Sequence, residues 1–373
     1  MAFSEFVFRN EERVTFALRR LYEQYGYVRY KVSKFEEYDL YARNKSFLIS
    51  ENVLTFTDTN GKLMALKPDV TLSIVKNLRE GETQKLYYNE NVYRTSANTD
   101  GFREIPQTGL ECVGDVDLLA TCEVLTLAKQ SLSEISADHV LDLSHMGFLA
   151  ALLEETGISL AARGEMLRAI GNKNVGAIRA LCERNDVAND FANDICTLTS
   201  IYEPFEKALE KIGQMVRGDR MQGYYTELCE VLEVLKSGGI IDRMYLDFSM
   251  VNDMNYYNGI IFRGYVNGIP DGVLSGGRYD SLLQKMGRRC GAIGFAVYLD
   301  QIDRIDQSIN AYDVDVLLVY DDTVSAAEVI KTANDQRAKG NSVMTLPHTA
   351  AQNLRCRQVV RMTKGGGGLE NND

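Results

Sequence analysis

Two runs in which apolar and polar residues are interleaved, joined by a long polar loop, constrain this 373-residue chain most strongly. The first run extends from Leu86 to Arg94 and the second from Phe102 to Val113. Alternation with a period of two is typical of β-strands, because successive side chains point to opposite faces. The polar loop between the runs therefore predicts an antiparallel pair.

Three polar residues of the second run, Arg103, Gln107 and Glu111, are spaced by four. On a strand this spacing places them on one face. A guanidinium, an amide and a carboxylate on one face can hold a small zwitterion, since the carboxylate accepts from a cationic group and the guanidinium donates to an anion. The alternative interpretation is a solvated sheet face with three polar residues. The spacing leaves both interpretations open.

The composition argues against several classes of protein. No run of about 18 apolar residues occurs, which is the length that a transmembrane helix needs. The N-terminal segment has no apolar core of a signal peptide, and seven cysteines without a CxxC spacing predict reduced thiols in the cytoplasm. Three histidines and no HExxH motif argue against a histidine-based metal site. The net charge of -11 argues against a broad nucleic-acid surface, and we expect no cofactor.

Further local patterns predict the elements around the strand pair. Apolar residues at helical spacing predict a helix over residues 10–25. The dipeptide Asn60-Gly61 predicts a hairpin over residues 53–68, because both turn positions accept positive φ. Residues 148–237 are helical in pattern and contain no motif that carries chemistry. These elements predict an α+β protein, with an antiparallel sheet flanked by helices.

Several motifs in this chain, taken together and in order, resemble the histidyl form of class II aminoacyl-tRNA synthetases. The resemblance extends over nearly the whole chain to about residue 346. The motifs that carry it are Leu66-Lys67-Pro68-Asp69-Val70-Thr71, Tyr93-Arg94, Arg103-Glu104-Ile105-Pro106-Gln107, Gly109-Leu110-Glu111-Cys112-Val113-Gly114, Asn255-Tyr256-Tyr257-Asn258, Ser275-Gly276-Gly277-Arg278-Tyr279-Asp280 and Gly294-Phe295-Ala296-Val297.

The resemblance implies a domain organisation. Residues 1–310 are expected to form a class II synthetase-like domain, with the helical pattern at about 148–237 as an insertion. Residues 311–346 resemble the opening half of an anticodon-binding α/β domain. Residues 347–373, which include a run of four glycines, are expected to form a disordered tail.

The resemblance also implies a pocket for an amino acid such as histidine, with no catalytic residue. The residues expected to form the pocket are Asp69, Thr71, Arg103, Gln107, Glu111, Tyr256, Tyr257, Gly276, Gly277, Arg278 and Tyr279.

Some of these residues have a second interpretation. Asp69 is also the acidic residue that a helix N-terminus favours. Arg278 is equally expected to pair with a nearby carboxylate. Tyr256 and Tyr257 are adjacent, so on a strand one would line the pocket and the other would pack in the core.

The chain departs from the synthetase pattern where the family binds ATP. Family arginines are replaced here by Asn252, Gln301 and Gly101, whereas Arg94 is retained as a relic of the ATP site. An amide cannot neutralise a developing phosphate charge as a guanidinium can. Each lost contact of this kind typically costs about 2 kcal/mol or more of transition-state stabilisation. We therefore expect that the chain neither activates an amino acid nor charges tRNA.

A retained amino-acid pocket combined with a degraded ATP site is similar to the family of regulatory subunits of ATP phosphoribosyltransferase. This resemblance implies a homodimer that assembles with a short-form catalytic subunit into a hetero-octamer. It implies a role in the first step of histidine biosynthesis and in feedback by histidine. Two alternatives remain: an active histidyl-tRNA synthetase-like ligase, and an amino-acid sensor with another partner.

Overall fold

The chain forms two compact units, Met1–Ile305 and Asp306–Asp373. The computed structural model describes residues 9–48, 52–79, 81–95, 101–251, 256–304, 312–350, 354–363 and 368–371.

Sixteen strands are present in the described residues. In chain order they are β1 (Val28–Arg29), β2 (Phe35–Glu37), β3 (Thr55–Thr57), β4 (Leu63–Leu66), β5 (Gln84–Thr95), β6 (Phe102–Gly114), β7 (His139–His145), β8 (Glu203–Pro204), β9 (Met244–Leu246), β10 (Ile260–Val266), β11 (Leu274–Arg278), β12 (Gly291–Tyr298), β13 (Val314–Tyr320), β14 (Val343–Pro347), β15 (Cys356–Met362) and β16 (Gly368–Asn371).

Twelve α-helices lie in the same residues. They are α1 (Asn10–Gln24), α2 (Tyr38–Arg43), α3 (Thr71–Lys76), α4 (Leu118–Ile135), α5 (Met146–Glu155), α6 (Leu160–Gly171), α7 (Val175–Arg184), α8 (Asn189–Ser200), α9 (Phe205–Gly213), α10 (Gly218–Ser237), α11 (Asp280–Lys285) and α12 (Ala326–Ala338).

A nine-stranded sheet forms the centre of the first unit, in the order β1-β5-β6-β12-β11-β10-β7-β9-β8. The pairs β1–β5 and β7–β9 are parallel, and the other pairs of this sheet are antiparallel. The pairing of β5 with β6 confirms the antiparallel strands predicted from alternation. The architecture confirms the predicted α+β class, with an antiparallel sheet flanked by helices.

Helices α1 and α4 cover one face of this sheet. Val14, Leu18 and Tyr22 of α1 are spaced by four and are fully buried, which is the pattern that predicted the helix. Helix α4 begins at Asp117, whose Oδ1 accepts a hydrogen bond from the backbone N–H of Ala120 at 2.8 Å. On the other face of the sheet, the short helices α3 and α11 pack against β5, β6 and β12.

A three-stranded sheet in the order β2-β4-β3 lies in the first unit. Strands β3 and β4 pair antiparallel around Asn60 and Gly61, as predicted for the hairpin over residues 53–68. Gly61 has φ of +79°, a conformation that the absence of a Cβ permits. The hairpin leads through Pro68 into α3, which carries the first site residues.

Helices α5 to α10 occupy the stretch predicted as a helical insertion, together with the short strand β8. Strand β9 follows α10 and rejoins the central sheet beside β7. The insertion therefore leaves the sheet after β7 and returns to it at the neighbouring strand.

In the second unit, β13 lies between β14 and β15, both parallel to it, and β16 pairs antiparallel with β15. The prediction of a disordered tail over residues 347–373 is wrong for β15 and β16. Val359 and Val360 of β15 are buried, because they add a strand to the sheet that β13 and β14 begin. Strands β15 and β16 form because of this pairing between strands that are distant in the sequence.

None of the helices in the described part of the chain has both the length and the apolar composition needed to cross a bilayer.

Candidate functional site

A buried carboxylate, Glu111, lies in the middle of β6 on the face opposite α1 and α4. Its Oε1 accepts a hydrogen bond from Thr71 Oγ1 at 2.8 Å, and its Oε2 accepts one from Tyr279 OH at 2.5 Å. Thr71 is the first residue of α3, and Tyr279 follows β11. Three separate parts of the chain therefore converge on one carboxylate.

Two glycines make room for this arrangement on the sheet. Gly294 lies opposite Glu111, and Gly277 lies opposite Gly294, so the three residues form a row across β6, β12 and β11. A Cβ added at Gly294 would lie 1.8 Å from Glu111 Oε2. A Cβ added at Gly277 would lie 2.7 Å from Cδ1 of Tyr257. The side chains of Glu111 and Tyr257 thus lie where these glycines have no side chain.

A second carboxylate, Asp69, precedes α3. Its Oδ1 accepts a hydrogen bond from the backbone N–H of Leu72 at 2.8 Å, which is the helix N-terminal role anticipated for it. Arg94 lies close by, with its Nε donating to the carbonyl of Pro68 at 2.9 Å. The retained arginine is thus tied to the backbone beside Asp69.

Burial raises the pKa of both carboxyl groups. Burial raises the pKa of Glu111 to about 8, although the hydrogen bonds from Tyr279 and Thr71 lower it. Burial also raises the pKa of Asp69, against the lowering effects of the Leu72 backbone and the positive charge of Arg94. A carboxyl group that exchanges its proton near neutral pH can accept a hydrogen bond from an imidazole or ammonium ligand.

Three tyrosines lie close to the two carboxyl groups. The ring centroids of Tyr256 and Tyr257 are 4.5 Å apart, and those of Tyr256 and Tyr279 are 5.8 Å apart. Burial raises the pKa of all three hydroxyl groups, so they remain neutral. The prediction that Tyr256 and Tyr257 alternate on a strand is wrong, because both precede β10 and their rings contact each other.

The other polar residues of β6 differ in their exposure. Gln107 is buried, and its Nε2 has no hydrogen-bond partner in the described part of the chain. Arg103 is about half exposed, and its Nη2 lies 3.4 Å from Asp300 Oδ2. The structure therefore groups Gln107 with the buried residues and places Arg103 at the surface, because Arg103 lies near the exposed beginning of the strand.

Two of the predicted pocket residues, Gly276 and Arg278, make their contacts away from Glu111. A Cβ added at Gly276 would contact Phe295 and Phe262, which belong to the core on the opposite face from Glu111. Arg278 Nε donates to Asp280 Oδ2 at 2.8 Å, which is the structural pairing that the sequence had left open. Their roles as ligand contacts remain predictions.

The positions of the missing arginines are only partly described. Gln301 Nε2 donates to Asp300 Oδ2 at 3.2 Å, and its Oε1 is buried without a hydrogen-bond partner in the described residues. Gly101 is exposed. Asn252 lies outside the described residues. At the two positions that the structure shows, an amide and a hydrogen atom stand where the family pattern has a guanidinium.

Sequence reasoning missed three residues at this site. Tyr88 of β5 is buried, and the negative charge of Glu111 is among the effects that raise its pKa. A Cβ added at Gly109 would lie 2.5 Å from the Tyr88 hydroxyl. The parity of β6 could have found Gly109, since it lies between Gln107 and Glu111 at steps of two. Gly294 required the register of β12, which no local pattern shows.

An open groove of about 1280 Å³ lies apart from the buried carboxyl groups, where β6 and β11 end and β12 begins, and Arg278 is among its lining residues. Arg79, Arg288 and Arg289 line it, whereas Glu111 and Asp69 do not. The buried carboxyl site is thus distinct from the open groove. The site is defined by its converging hydrogen bonds.

Comparison with known proteins agrees with this geometry. A family model described as histidyl-tRNA synthetase matches residues 5–302. The chain belongs to this family. Glu111, Tyr257 and Gly277 all lie within the matched residues.

Curated relatives within this family carry a different function in their names. The chain is 29% identical over 335 residues to an ATP phosphoribosyltransferase regulatory subunit of Clostridium kluyveri, covering 87% of this chain and 85% of that protein. It is 26% identical over 300 residues to a regulatory subunit of the same name from Oceanobacillus iheyensis, covering 79% of this chain and 74% of that protein.

Solved structures show the same fold. A protein of Bacillus halodurans, described as an ATP phosphoribosyltransferase regulatory subunit/histidyl-tRNA synthetase, superposes with a TM-score of 0.72 at 24% identity, covering 92% of this chain and 90% of that chain. A chain from the ATP phosphoribosyl transferase (HisG:HisZ) complex of Thermotoga maritima gives a TM-score of 0.62 at 19% identity, covering 78% and 97%. The class II synthetase-like fold is thereby confirmed.

Proposed function

We propose that this chain is a non-catalytic regulatory subunit of ATP phosphoribosyltransferase. In this role it assembles with the short-form catalytic subunit and is required for the activity of that subunit in the first step of histidine biosynthesis. The names of the curated relatives support the proposal, as does the chain of the Thermotoga maritima complex that shares the fold. Soluble hetero-oligomeric assembly in the cytoplasm, with this chain as a homodimer within a hetero-octamer, belongs to the same proposal.

The observation that carries the proposal is the contrast between the two halves of the site. On the amino-acid side, Glu111 is held by Thr71 and Tyr279 in a buried setting. On the nucleotide side, Gln301 and Gly101 supply no positive charge. A site of this kind can hold a small ligand, whereas adenylate formation needs cations where phosphate charge develops.

Histidine is the ligand that we propose for the buried pocket. An imidazole N–H can donate to Glu111, and an α-ammonium group can donate to Asp69, whose carboxyl group lies beside α3. Ligand occupancy then reports histidine levels to the catalytic subunit. Gln107, whose Nε2 has no partner in the described residues, supplies a donor for a ligand oxygen.

The test is to mix the purified chain with a short-form catalytic subunit and to measure phosphoribosyl transfer to ATP. We expect turnover to rise by at least tenfold and the two proteins to elute together from a sizing column. The catalytic subunit alone and the catalytic subunit with an unrelated acidic protein serve as controls. Absence of both stimulation and co-elution would contradict the proposal.

A second assay separates this role from that of a ligase. We expect no ATP–pyrophosphate exchange in the presence of histidine, because two of the phosphate-binding arginines are replaced by Gln301 and Gly101. An active histidyl-tRNA synthetase measured in parallel provides the positive control. Exchange above background would show that the chain activates an amino acid.

A further inference from the structure

A lysine of the helical insertion forms an ion pair with the residue that follows β9. Lys173 lies between α6 and α7, and its Nζ is 3.0 Å from Asp247 Oδ2, just after β9. Lys173 has φ of +51°, a left-handed conformation that residues with a Cβ adopt rarely. Backbone conformations of this kind persist where surrounding contacts hold them.

Asp247 organises the turn that follows β9. Its Oδ1 accepts hydrogen bonds from the backbone N–H of Ser249 at 2.9 Å and from Ser249 Oγ at 2.6 Å. Its own N–H donates to the carbonyl of Leu143 at 2.9 Å, which joins the turn to β7. Asp247 therefore links Lys173 and the turn through its carboxylate, and the central sheet through its backbone N–H.

This turn packs against the pocket. Met250 forms a small apolar cluster with Met146 and Ile261, and Val251 and Tyr257 pack against that cluster. Tyr257 in turn lies over Gly277, in the same row as Glu111. A continuous set of contacts thus connects Lys173 through Asp247 and Met250 to the Tyr257 ring.

Aromatic residues hold the lysine side chain in place. Its Nζ lies 5.3 Å from the centroid of the Tyr202 ring, which is within the range of a cation–π contact. The Tyr202 ring stacks on Tyr245 of β9 at 5.2 Å between centroids. The Tyr202 ring, which is held by its stacking on Tyr245, therefore keeps the Lys173 side chain beside Asp247.

We propose that Lys173 is a positioning residue through which the helical insertion holds the Tyr257 ring in place at the amino-acid pocket. The lysine acts on the pocket through Asp247 and the turn at Ser249 and Met250. The proposal concerns the same pocket as the proposed function. Its main test requires no ligand, so the two can fail separately.

Amide hydrogen exchange of the whole chain, read by mass spectrometry, tests the proposal. We expect Lys173→Asn to speed exchange of a peptide covering residues 247–251 by about three- to tenfold, because asparagine tolerates the left-handed conformation but carries no ammonium group. Lys173→Arg, which keeps the positive charge, should restore at least half of the protection. A β12 peptide should exchange at the wild-type rate in both variants.

Lys236→Asn is the matched control, because Lys236 forms an exposed ion pair with Glu206 in the same insertion. We expect it to leave the 247–251 peptide unchanged. Wild-type exchange of this peptide in Lys173→Asn would overturn the proposal. Equal acceleration of the β12 peptide would also overturn it, since that result would show a general loss of stability.

Calorimetric titration with L-histidine gives a second readout. We expect Lys173→Asn to weaken binding by about three- to tenfold, Lys173→Arg to recover most of the affinity, and Lys236→Asn to match wild type. Wild-type affinity in Lys173→Asn would contradict the proposal. Failure of the wild-type chain to bind histidine would count against the proposed function, and the exchange experiment would then decide the role of Lys173 alone.

Discussion

The hydroxyl group of Tyr279 donates a hydrogen bond of 2.5 Å to Glu111 Oε2, although the two residues are 168 positions apart in the chain. The bond connects the residue after β11 with the middle of β6, across the intervening strand β12. Formation of the pocket therefore depends on the register of three strands.

The first prediction concerns the charge of Glu111. Its pKa is raised from an ordinary 4.5 to about 8, so between these pH values the folded chain keeps a proton that the unfolded chain has released. The free energy of unfolding should therefore fall as the pH rises through this window. In Glu111→Gln, the fall in unfolding free energy between pH 5 and pH 9 should be smaller than in wild type by roughly 2 to 4 kcal/mol. Urea unfolding at pH 5, 7 and 9 measures this difference. The exposed Glu206→Gln should keep the wild-type slope, and an unchanged slope in Glu111→Gln would contradict the assignment.

The second prediction concerns the hydroxyl group of Tyr279. Tyr279→Phe removes a donor that lowers the pKa of Glu111. We expect the loss of unfolding free energy to be larger at pH 9, where Glu111 is ionised, than at pH 6, by about 1 kcal/mol. Urea unfolding at the two pH values measures this difference. Tyr265→Phe on β10 serves as the control for the loss of a hydroxyl group, and equal losses at both pH values would argue against the proposed coupling.

The third prediction concerns Gly294. Gly294→Ala would place a Cβ 1.8 Å from Glu111 Oε2 and 2.4 Å from the carbonyl of Leu110, so the carboxyl group and the strand would have to move. We expect a loss of about 2 kcal/mol or more in unfolding free energy and no detectable histidine binding. Gly164→Ala in α6 is the matched control, because a Cβ there has nothing within 4 Å and should stabilise the helix by about 0.5 to 1 kcal/mol. Histidine binding by Gly294→Ala would contradict this view of the pocket.

The fourth prediction concerns Asp142 on β7, a buried carboxyl group outside the pocket. Burial, together with the negative charge of Asp247, raises its pKa to about 7, although Tyr202, Lys173 and Arg263 lower it. A raised carboxyl pKa makes the folded chain lose stability as the pH rises from about 4 to about 7.

Asp142→Asn should consequently be more stable than wild type at pH 8, by roughly 1 to 3 kcal/mol, and similar to it at pH 4. Thermal or urea unfolding at the two pH values measures the difference. Asp242→Asn, at a largely exposed carboxyl group, is the control and should show no such pH dependence. A stability difference that is the same at both pH values would contradict the raised pKa.

Much of the fold followed from local patterns. The interleaved apolar and polar residues predicted both β5 and β6, and the spacing of four placed Gln107 and Glu111 on one face, where the structure buries them. The same period could not show that Arg103 lies at the exposed beginning of β6. Periodicity identifies the face of a strand, whereas burial along the strand depends on what packs over it.

Other features depended on contacts between distant residues. The sequence pattern over residues 347–373 predicts a tail, whereas Val359 and Val360 of β15 are buried in a strand that pairs with β13. The contact between Tyr256 and Tyr257 depends on the chain leaving extended geometry before β10. Neither feature has a signal within a short window of sequence.

The position of β13 between β14 and β15 has a practical consequence. A truncated protein ending at Leu346 would leave one side of β13 with unsatisfied backbone amides and carbonyls. Leu317 and Val319, whose side chains are covered in the full chain, would then border a bare strand edge. An unpaired strand edge can form backbone hydrogen bonds with a strand of another molecule. We therefore expect the shortened protein to aggregate during expression, whereas the full chain should not expose this edge.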